Sequence, residues 1–280
     1  MPRTVHIIGA GLAGLSAAVR LIERGVQVQV HEATAQAGGR CRSYHDLTIG
    51  MTIDNGNHLL LSGNRAALSY LDTIGARRLL IGPGTASVPF FDLTSGERWT
   101  LHANDGRLPW WIFNSARRVP GTGPLSYLSL LKLSLAKPSD TIGDRMACDG
   151  VLYGRLIGPF LLAALNIEPP QGSAALAATV VKETLLAGGR SYHPLIAREG
   201  LSTAFVEPGL AFIAQHGGTV GFGRQLRSIA FEGGRAKSLD FGDASIALGP
   251  EDAAILAVPP WTAASLVPGI ETPKIGRAHV

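Results

Sequence analysis

Hydrophobic and polar positions near the amino terminus predict a strand, a helix and a second strand in close succession. Val5–Ile8 is a continuous apolar run, which is typical of a short buried strand. The glycine-rich segment Gly9–Gly14 follows and predicts a tight turn. Apolar residues in Leu15–Arg24 lie three and four positions apart, which predicts a helix, and Val26–His31 alternates as a second strand. The chain therefore begins with a predicted βαβ unit.

The same patterns predict the other elements and divide the chain. The predicted helices cover 64–74, 109–138, 150–165, 173–186 and 202–215, and the predicted strands cover 87–92, 97–101, 219–222, 225–231, 236–241 and 253–258. An α/β start, a mixed middle and a return to strands indicate an α/β, Rossmann-like domain that is interrupted by a mixed α+β insert. We predict boundaries at 1–62, 63–200 and 201–273, with a non-native tail at 274–280.

Composition and charge narrow the class of protein. Hydrophobic residues form 46% and charged residues 16% of the 280 residues, which predicts a folded globular chain. The formal net charge of +4 is not concentrated in a basic run, so no nucleic-acid partner is predicted. A mildly basic surface suits an anionic cofactor or the cytoplasmic face of a membrane. The apolar stretch Val151–Leu165 is short for a membrane span and carries Arg155.

The cysteines exclude two further kinds of site. Cys41 and Cys148 are the two cysteines, and neither has metal-ligand spacing. We therefore predict no metal site and no disulfide framework, and we expect reduced thiols. This favours a cytoplasmic protein, with peripheral attachment to the inner face of the membrane left open.

The glycine turn has the spacing of a dinucleotide-binding fingerprint. A GxGxxG pattern alone is weak evidence, but Gly9, Gly11 and Gly14 lie between a predicted strand and a predicted helix. Gly9 would permit the turn, Gly11 would admit a diphosphate, and Gly14 would allow close helix–strand packing. The backbone N–H groups at Leu12 and Ala13 would then face the phosphates. We predict all five residues as cofactor-binding.

An acidic residue stands where the fingerprint needs one. Glu32, followed by Ala33, ends the second predicted strand eighteen positions after Gly14. A carboxylate there can accept both ribose hydroxyls and would repel a 2′-phosphate, which disfavours NADP. The alternative is an acid on the surface at the end of a strand. We predict Glu32 and Ala33 as cofactor-binding residues.

A second glycine pair follows the acid after a short loop. Gly38 and Gly39 would let the backbone lie against a cofactor, and Arg40 would place a cation near its diphosphate. The alternative is an ordinary turn with a solvated arginine. Taken together, Val5 to Arg42 resembles the opening of the flavin-containing amine oxidase and carotenoid desaturase superfamily. The resemblance implies an FAD-binding domain of the GR2 type.

Later segments extend this resemblance. Asp54–His58 is similar to a stretch that lies near the flavin ring in that superfamily, which implies roles for Asn57 and His58. His58 could donate a proton or orient a group near flavin N5; a structural hydrogen bond is the alternative. The segments 217–220, 225–229 and 254–260 resemble the return to the FAD domain. That similarity implies that the strand around Leu226 provides backbone hydrogen bonds to adenine.

The middle of the chain resembles one branch of the superfamily. The segments 53–59, 159–166, 165–174 and 194–206 are similar to the squalene-associated branch, the bacterial hydroxysqualene dehydroxylases of hopanoid synthesis. The resemblance implies that hydroxysqualene, a small-molecule isoprenoid, loses its hydroxyl and gains a hydride from reduced flavin, which gives squalene. The alternatives are a phytoene-type carotenoid desaturase, an amine oxidase or, in another class, an inactive nucleotide-binding fragment.

Two further segments invite interpretation. Trp110, Trp111 and Phe113, the pair Arg117–Arg118 and the leucines of 125–135 could form a membrane-facing entrance or an ordinary core. Relatives in the resembled branch have a longer C-terminal part, so we expect this chain to be a gene fragment whose natural sequence ends near Pro273. The final residues, 275–280, resemble a translated sequencing adapter.

Overall fold

A computed structural model describes residues 3–56 and 59–269, and the chain separates into two compact units. Unit 1 comprises the described parts of 1–58, 66–81 and 196–274, and unit 2 comprises 59–65 and 82–195. These units differ from the predicted domain boundaries mainly at 66–81, because this segment makes its contacts in unit 1. The predicted tail at 274–280 lies outside the described residues.

Unit 1 is built on a four-stranded parallel sheet. The strand order across this sheet is Thr219–Gly221, Gln27–His31, Thr4–Ile8 and Ala253–Leu256. The first strand in sequence is central, and Val5 and Ile7 on it are buried because the sheet is covered on both faces. The sheet confirms the predicted α/β class, and its carboxyl edge carries the glycine turn.

Two helices of unit 1 follow the predicted apolar spacing. Leu12–Ile22 buries Leu15, Ala18 and Val19. Gly25, just beyond this helix, has a φ of +72°, as expected for a glycine that ends a helix. The helix Arg65–Thr73 buries one face, which includes Leu68 and Leu71.

The other elements of unit 1 are short. The strands are Ser43–Asp46, Met51–Asp54, Leu80–Ile81, Ser228–Glu232, Arg235–Asp240 and Ser245–Ala247, and the helices are Arg77–Leu79, Ser202–Val206, Glu207–Gln215 and Pro260–Leu266. Leu80–Ile81 pairs with the second half of the strand Pro194–Ala197. The hairpin Ser43–Asp54 was not predicted, and the predicted strand over 225–231 begins later, at Ser228.

Unit 2 is mainly helical and carries one hairpin. Its strands are Leu60–Leu61, Ser87–Phe91, Arg98–His102 and the first half of Pro194–Ala197, and its helices are Trp110–Phe113, Pro124–Leu135, Ile142–Arg145, Gly150–Leu152, Tyr153–Ile157, Gly158–Leu165, Pro169–Gln171, Ala174–Glu183 and Gly189–Ser191. The predicted helix over 109–138 is instead two 3₁₀ segments, Trp110–Phe113 and Pro124–Leu135, joined by an irregular stretch.

Each of the two π-turns lies just before a proline in a longer helix. Tyr153–Ile157 precedes Pro159, and Ser202–Val206 precedes Pro208. Proline lacks an N–H and its ring clashes with the carbonyl four residues earlier. A wider turn moves that carbonyl away, so the helix continues past the proline.

The apolar helical stretch in unit 2 contains a paired charge. Arg155 lies 2.7 Å from Glu97 and 3.8 Å from Asp92 on the hairpin, and its guanidinium is 5.3 Å from the centroid of the Trp99 ring. These contacts explain how a cation fits between leucines in this helix.

Within residues 3–56 and 59–269, no helix is long and apolar enough to cross a membrane.

Candidate functional site

The three glycines of the first turn differ in what surrounds them. Gly9 has a φ of +103°, and a Cβ there would lie 2.6 Å from the carbonyl oxygen of Ala257. A Cβ on Gly14 would lie 1.9 Å from the carbonyl oxygen of Gly9. Gly9 also donates its N–H to the His31 carbonyl at 2.8 Å. Both positions therefore require glycine for the packing of the fold itself.

Gly11, unlike Gly9 and Gly14, has space around it for a side chain or a ligand. Among residues 3–56 and 59–269, no atom outside Gly11 and its two chain neighbours lies within 4 Å of a Cβ built on Gly11. Gly11 has an extended conformation and caps the helix Leu12–Ile22 without a side-chain hydrogen bond. No acidic residue lies in the first turn of this helix. The N–H groups that begin at Leu12 and Ala13 therefore meet an open space with the positive end of the helix dipole.

The carboxylate of Glu32 is held in place beside this turn. Glu32 is 9% exposed, and its Oε2 accepts the backbone N–H of Ala10 at 2.8 Å. Its Oε1 accepts the backbone N–H of Thr34 at 2.9 Å and the Thr34 hydroxyl at 2.8 Å. The acid is thus tied directly to the backbone of the glycine turn. Ala33, the next residue, is exposed.

The orientation of the Thr34 hydroxyl determines how many acceptor positions of the Glu32 carboxylate are free for a ligand. A hydroxyl has one hydrogen, and that of Thr34 has two acceptors at 2.8 Å, Glu32 Oε1 and the Gln36 carbonyl. When the Thr34 hydroxyl donates to the Gln36 carbonyl, Glu32 Oε1 accepts only the Thr34 N–H and keeps one free acceptor position. Glu32 Oε2, which accepts only the Ala10 N–H, has one as well. Glu32 can then accept two hydroxyl groups without losing its backbone contacts.

The second glycine pair packs against the first turn. Gly38 donates its N–H to the Ala10 carbonyl at 2.8 Å, and a Cβ on Gly39 would lie 3.3 Å from the Gly11 Cα. Both glycines have positive φ angles, +105° and +54°. The pair thus braces the backbone of the glycine turn, and Arg40 beside it is exposed.

The segment that returns to unit 1 is tethered to Glu32. The Glu32 N–H donates to the Gly221 carbonyl, and the Arg224 N–H donates to the Glu32 carbonyl, both at 2.8 Å. Leu226 follows two residues later outside any strand. Its buried side chain packs in a cluster with Ile8, Leu239, Phe241, Leu248 and Leu266. The predicted adenine segment is therefore fixed near the acid.

Asn57 and His58, the predicted flavin-side residues, lie outside the described residues. The strand before them is anchored by Asp54, which was not predicted as a site residue. Asp54 Oδ1 accepts the Ser43 hydroxyl at 2.6 Å and the Leu201 N–H at 2.8 Å. These contacts join residues far apart in sequence, so the chain pattern gave no signal for them. Thr34 was also missed, although a threonine two residues after an acid often bonds to it.

Two histidines are buried in the strands that carry the glycine turn. Nδ1 of His6 is 3.2 Å from Nε2 of His31, and the two rings stack. His31 also lies against Phe241. Burial lowers the pKa of His31 to about 4, with smaller contributions from His6 and Arg224. Burial lowers the pKa of His6 as well, against an opposing effect of Asp252.

The aromatic segment of unit 2 combines both predicted environments. Trp111 is buried, whereas Trp110 and Phe113 are 66% and 63% exposed. The guanidinium groups of Arg117 and Arg118 donate to backbone carbonyls.

Among residues 3–56 and 59–269, no group of three or more histidine, cysteine or acidic side chains could hold a metal ion.

Comparisons with known proteins agree with this geometry. Residues 12–279 match the model of the flavin containing amine oxidoreductase family. The chain belongs to that family of flavin-containing oxidoreductases. Membership confirms the predicted enzyme class and, at the level of the family, the predicted flavin cofactor, FAD.

Within the family, curated relatives match the whole chain. Hydroxysqualene dehydroxylase of Rhodopseudomonas palustris is 53% identical over 281 residues, which cover 100% of this chain and 67% of the relative. The protein of the same name from Sinorhizobium fredii is 51% identical, with 100% and 67% covered. The chain thus spans about two thirds of the length of these relatives. The match confirms the predicted resemblance to the squalene-associated branch.

A solved structure supports the fold. The crystal structure of an oxidoreductase from Methanosarcina mazei superposes with a TM-score of 0.68 at 17% identity, and covers 96% of this chain and 62% of that one. At this identity the likeness concerns the fold alone.

Proposed function

We propose that this chain binds FAD and forms the greater part of an enzyme that reduces hydroxysqualene to squalene. The observation that carries the proposal is the whole-chain identity of 53% and 51% with two proteins named for that substrate. The glycine turn and Glu32 support the cofactor. The runner-up activities, a carotenoid desaturase or an amine oxidase, use the same cofactor site and differ in the substrate.

Residues of unit 1 would bind the ADP half of FAD. The diphosphate would lie at Gly11, where the surroundings are open, against the N–H groups of Leu12 and Ala13. Glu32 would accept the ribose hydroxyls while Thr34 turns its hydroxyl to the Gln36 carbonyl. Leu226 would present its backbone to adenine. Arg40, Ala33, Asn57 and His58 remain candidates on the same proposal.

The proposed reaction exchanges a hydroxyl for a hydrogen. The C–O bond breaks, the hydroxyl leaves with a proton as water, and a C–H bond forms with two electrons. FAD, when bound and reduced, would supply the hydride. Within the substrate domain predicted over 63–200, we propose that residues 82–195 of unit 2 take up the substrate, since their apolar core and exposed leucines suit a hydrocarbon chain. Because such a substrate resides in bilayers, we also propose peripheral attachment to a membrane.

The cofactor is tested by titrating the chain with FAD and, separately, with NAD. We expect FAD to bind and NAD to bind far more weakly. Glu32→Gln removes the carboxylate charge, and the lost charged hydrogen bonds should weaken FAD binding at least about tenfold. Glu23→Gln, at an exposed acid just after the helix Leu12–Ile22, should leave the affinity unchanged. Equal affinities for Glu32→Gln and the unsubstituted chain would contradict the assignment.

The substrate is tested by anaerobic incubation with reduced FAD and hydroxysqualene. The assay uses this chain and a version extended to the length of its relatives, with squalene measured by mass spectrometry. Squalene formation that depends on FAD is the expected result. If the extended protein instead oxidises only phytoene or an amine, the substrate proposal is wrong while the cofactor proposal stands.

A further inference from the structure

A 3₁₀ helix in unit 2 sorts its residues into three faces. The helix Pro124–Leu135 has three residues per turn, so positions three apart lie above one another. Tyr127, Leu130 and Leu133 form the buried face, which packs in the core of unit 2. A second face carries Leu125, Leu128 and Leu131. The third begins with Ser126, Ser129 and Lys132.

The second face is apolar and exposed. Leu125, Leu128 and Leu131 are 79%, 53% and 48% exposed, and Leu135 at the end of the helix is 74% exposed. We call Leu125, Leu128 and Leu131 the leucine face. Since the buried face already anchors the helix to its unit, the leucine face adds nothing to the core. A contiguous apolar strip of this kind marks an interaction surface.

The neighbouring 3₁₀ helix has the same design. Trp110 and Phe113 are three positions apart, both exposed, with ring centroids 6.2 Å from each other. Trp111 between them is buried and packs edge-on against Tyr127 of the longer helix, at 5.3 Å between centroids. The two helices are therefore held together from their buried sides, and each exposes aromatic or leucine side chains.

Charge around these helices has one sign. Residues 106–139 contain five cations and no acid: Arg107, Arg117, Arg118, Lys132 and Lys137. In the described part of the chain, none of these five lies within 4.0 Å of a carboxylate. The acids that border the stretch are occupied, since Asp105 contacts Arg190 and His193, and Asp140 pairs with Arg145. The local surface is therefore cationic.

We propose that the leucine face, together with Trp110 and Phe113, docks on an anionic lipid bilayer. Exposed leucines and aromatics beside unpaired lysines and arginines match an interfacial helix, whose apolar side enters the acyl boundary while cations meet headgroup phosphates. A protein partner would need a groove that is both apolar and acidic, whereas an anionic bilayer offers an apolar acyl region beneath acidic headgroups and needs no groove. The inference refines the proposed membrane location and does not depend on the proposed activity.

Vesicle sedimentation tests the proposal with the full chain. Vesicles of phosphatidylglycerol and phosphatidylcholine should sediment the protein, and vesicles of phosphatidylcholine alone should do so much more weakly. The triple variant Leu125→Gln, Leu128→Gln, Leu131→Gln should bind at least about tenfold more weakly. The double variant Lys132→Gln, Lys137→Gln should lose roughly fivefold per lysine, with the loss smaller in 0.5 M salt.

A matched control comes from another helix of the same unit. Leu176, 56% exposed, and Lys182 lie on Ala174–Glu183, and Leu176→Gln with Lys182→Gln should bind vesicles as the unsubstituted chain does. Circular dichroism and the FAD titration on each variant separate lost docking from lost folding. Three results would overturn the proposal: no sedimentation with either vesicle, equal loss in the control, or a dimer that the triple variant abolishes without any vesicle binding.

Discussion

Two glycines of the same turn should respond in opposite ways to the same substitution. In Gly14→Ala, the new Cβ would lie 1.9 Å from the Gly9 carbonyl oxygen and 3.3 Å from the Ala257 Cβ. Real Cβ atoms essentially never approach within 3.0 Å, so strand and helix must separate by about 1 Å. In Gly11→Ala, the new Cβ meets no atom of the other described residues within 4 Å beyond its two chain neighbours, and the backbone is already extended.

The magnitudes follow from these distances. Gly14→Ala should lower the free energy of unfolding by about 3 kcal/mol or more, since it forces apart packed backbone. Gly11→Ala should change it by less than about 1 kcal/mol, because alanine fits the conformation. Its methyl group would nevertheless occupy the space proposed for the diphosphate, so FAD affinity should fall about tenfold to a hundredfold.

Urea unfolding and FAD titration measure the two effects separately. The urea midpoint of Gly14→Ala should drop by about 1 M or more, and that of Gly11→Ala should barely move. Gly123→Ala is the control, because Gly123 also caps a helix with an extended backbone and has open surroundings, but lies in unit 2. The reasoning fails if Gly14→Ala is as stable as the unsubstituted chain, or if Gly11→Ala keeps full affinity for FAD.

Two further predictions concern titrating groups. The pKa of His31 falls from 6.5 to about 4 on folding, so the unfolded chain binds more protons than the folded chain between these two pH values. The free energy of unfolding should therefore be highest above pH 6.5 and decrease by about 3 kcal/mol towards pH 4. A His31→Gln variant whose urea midpoint keeps the same pH dependence would contradict this. Burial, with a further contribution from Asp54, raises the pKa of Cys41 to about 11. In a Cys148→Ser variant, iodoacetamide at pH 8 should therefore alkylate Cys41 about a hundredfold more slowly in the folded chain than after unfolding in urea. Equal rates in the two states would contradict the raised pKa.

The local parts of the fold were predictable from sequence. Val5–Ile8, the glycine turn and Leu15–Arg24 follow one another, so period and glycine spacing were enough to predict them. The helix Arg65–Thr73 and the hairpin Ser87–His102 were also predicted, since both are made of contiguous residues. Glu32 could be placed for the same reason, because its position follows from the length of the βαβ unit.

Parts that depend on distant partners were not predictable. The strand Pro194–Ala197 pairs with Leu60–Leu61 and with Leu80–Ile81, two strands of two residues each that have no periodicity of their own. The stretch 109–138 has the leucine content of an α-helix, but glycines and prolines divide it. Its longer piece is a 3₁₀ helix with a period of three, and it carries leucines on an exposed face as well as on the buried one, so leucine content could not distinguish it from an α-helix.

The hydroxyl of Tyr70 has a practical consequence for anyone who wishes to isolate the nucleotide-binding half. It donates to the Phe205 carbonyl at 2.8 Å, in a gap that exists because Gly209 has no side chain. On the same helix, the hydroxyl of the adjacent Ser69 accepts a hydrogen bond from Arg20 at 2.5 Å. A gene in which a short linker replaces the whole middle region would remove Tyr70 and Ser69, and with them both hydrogen bonds. Minimal versions should retain residues 66–81 and excise only what lies between 82 and 195.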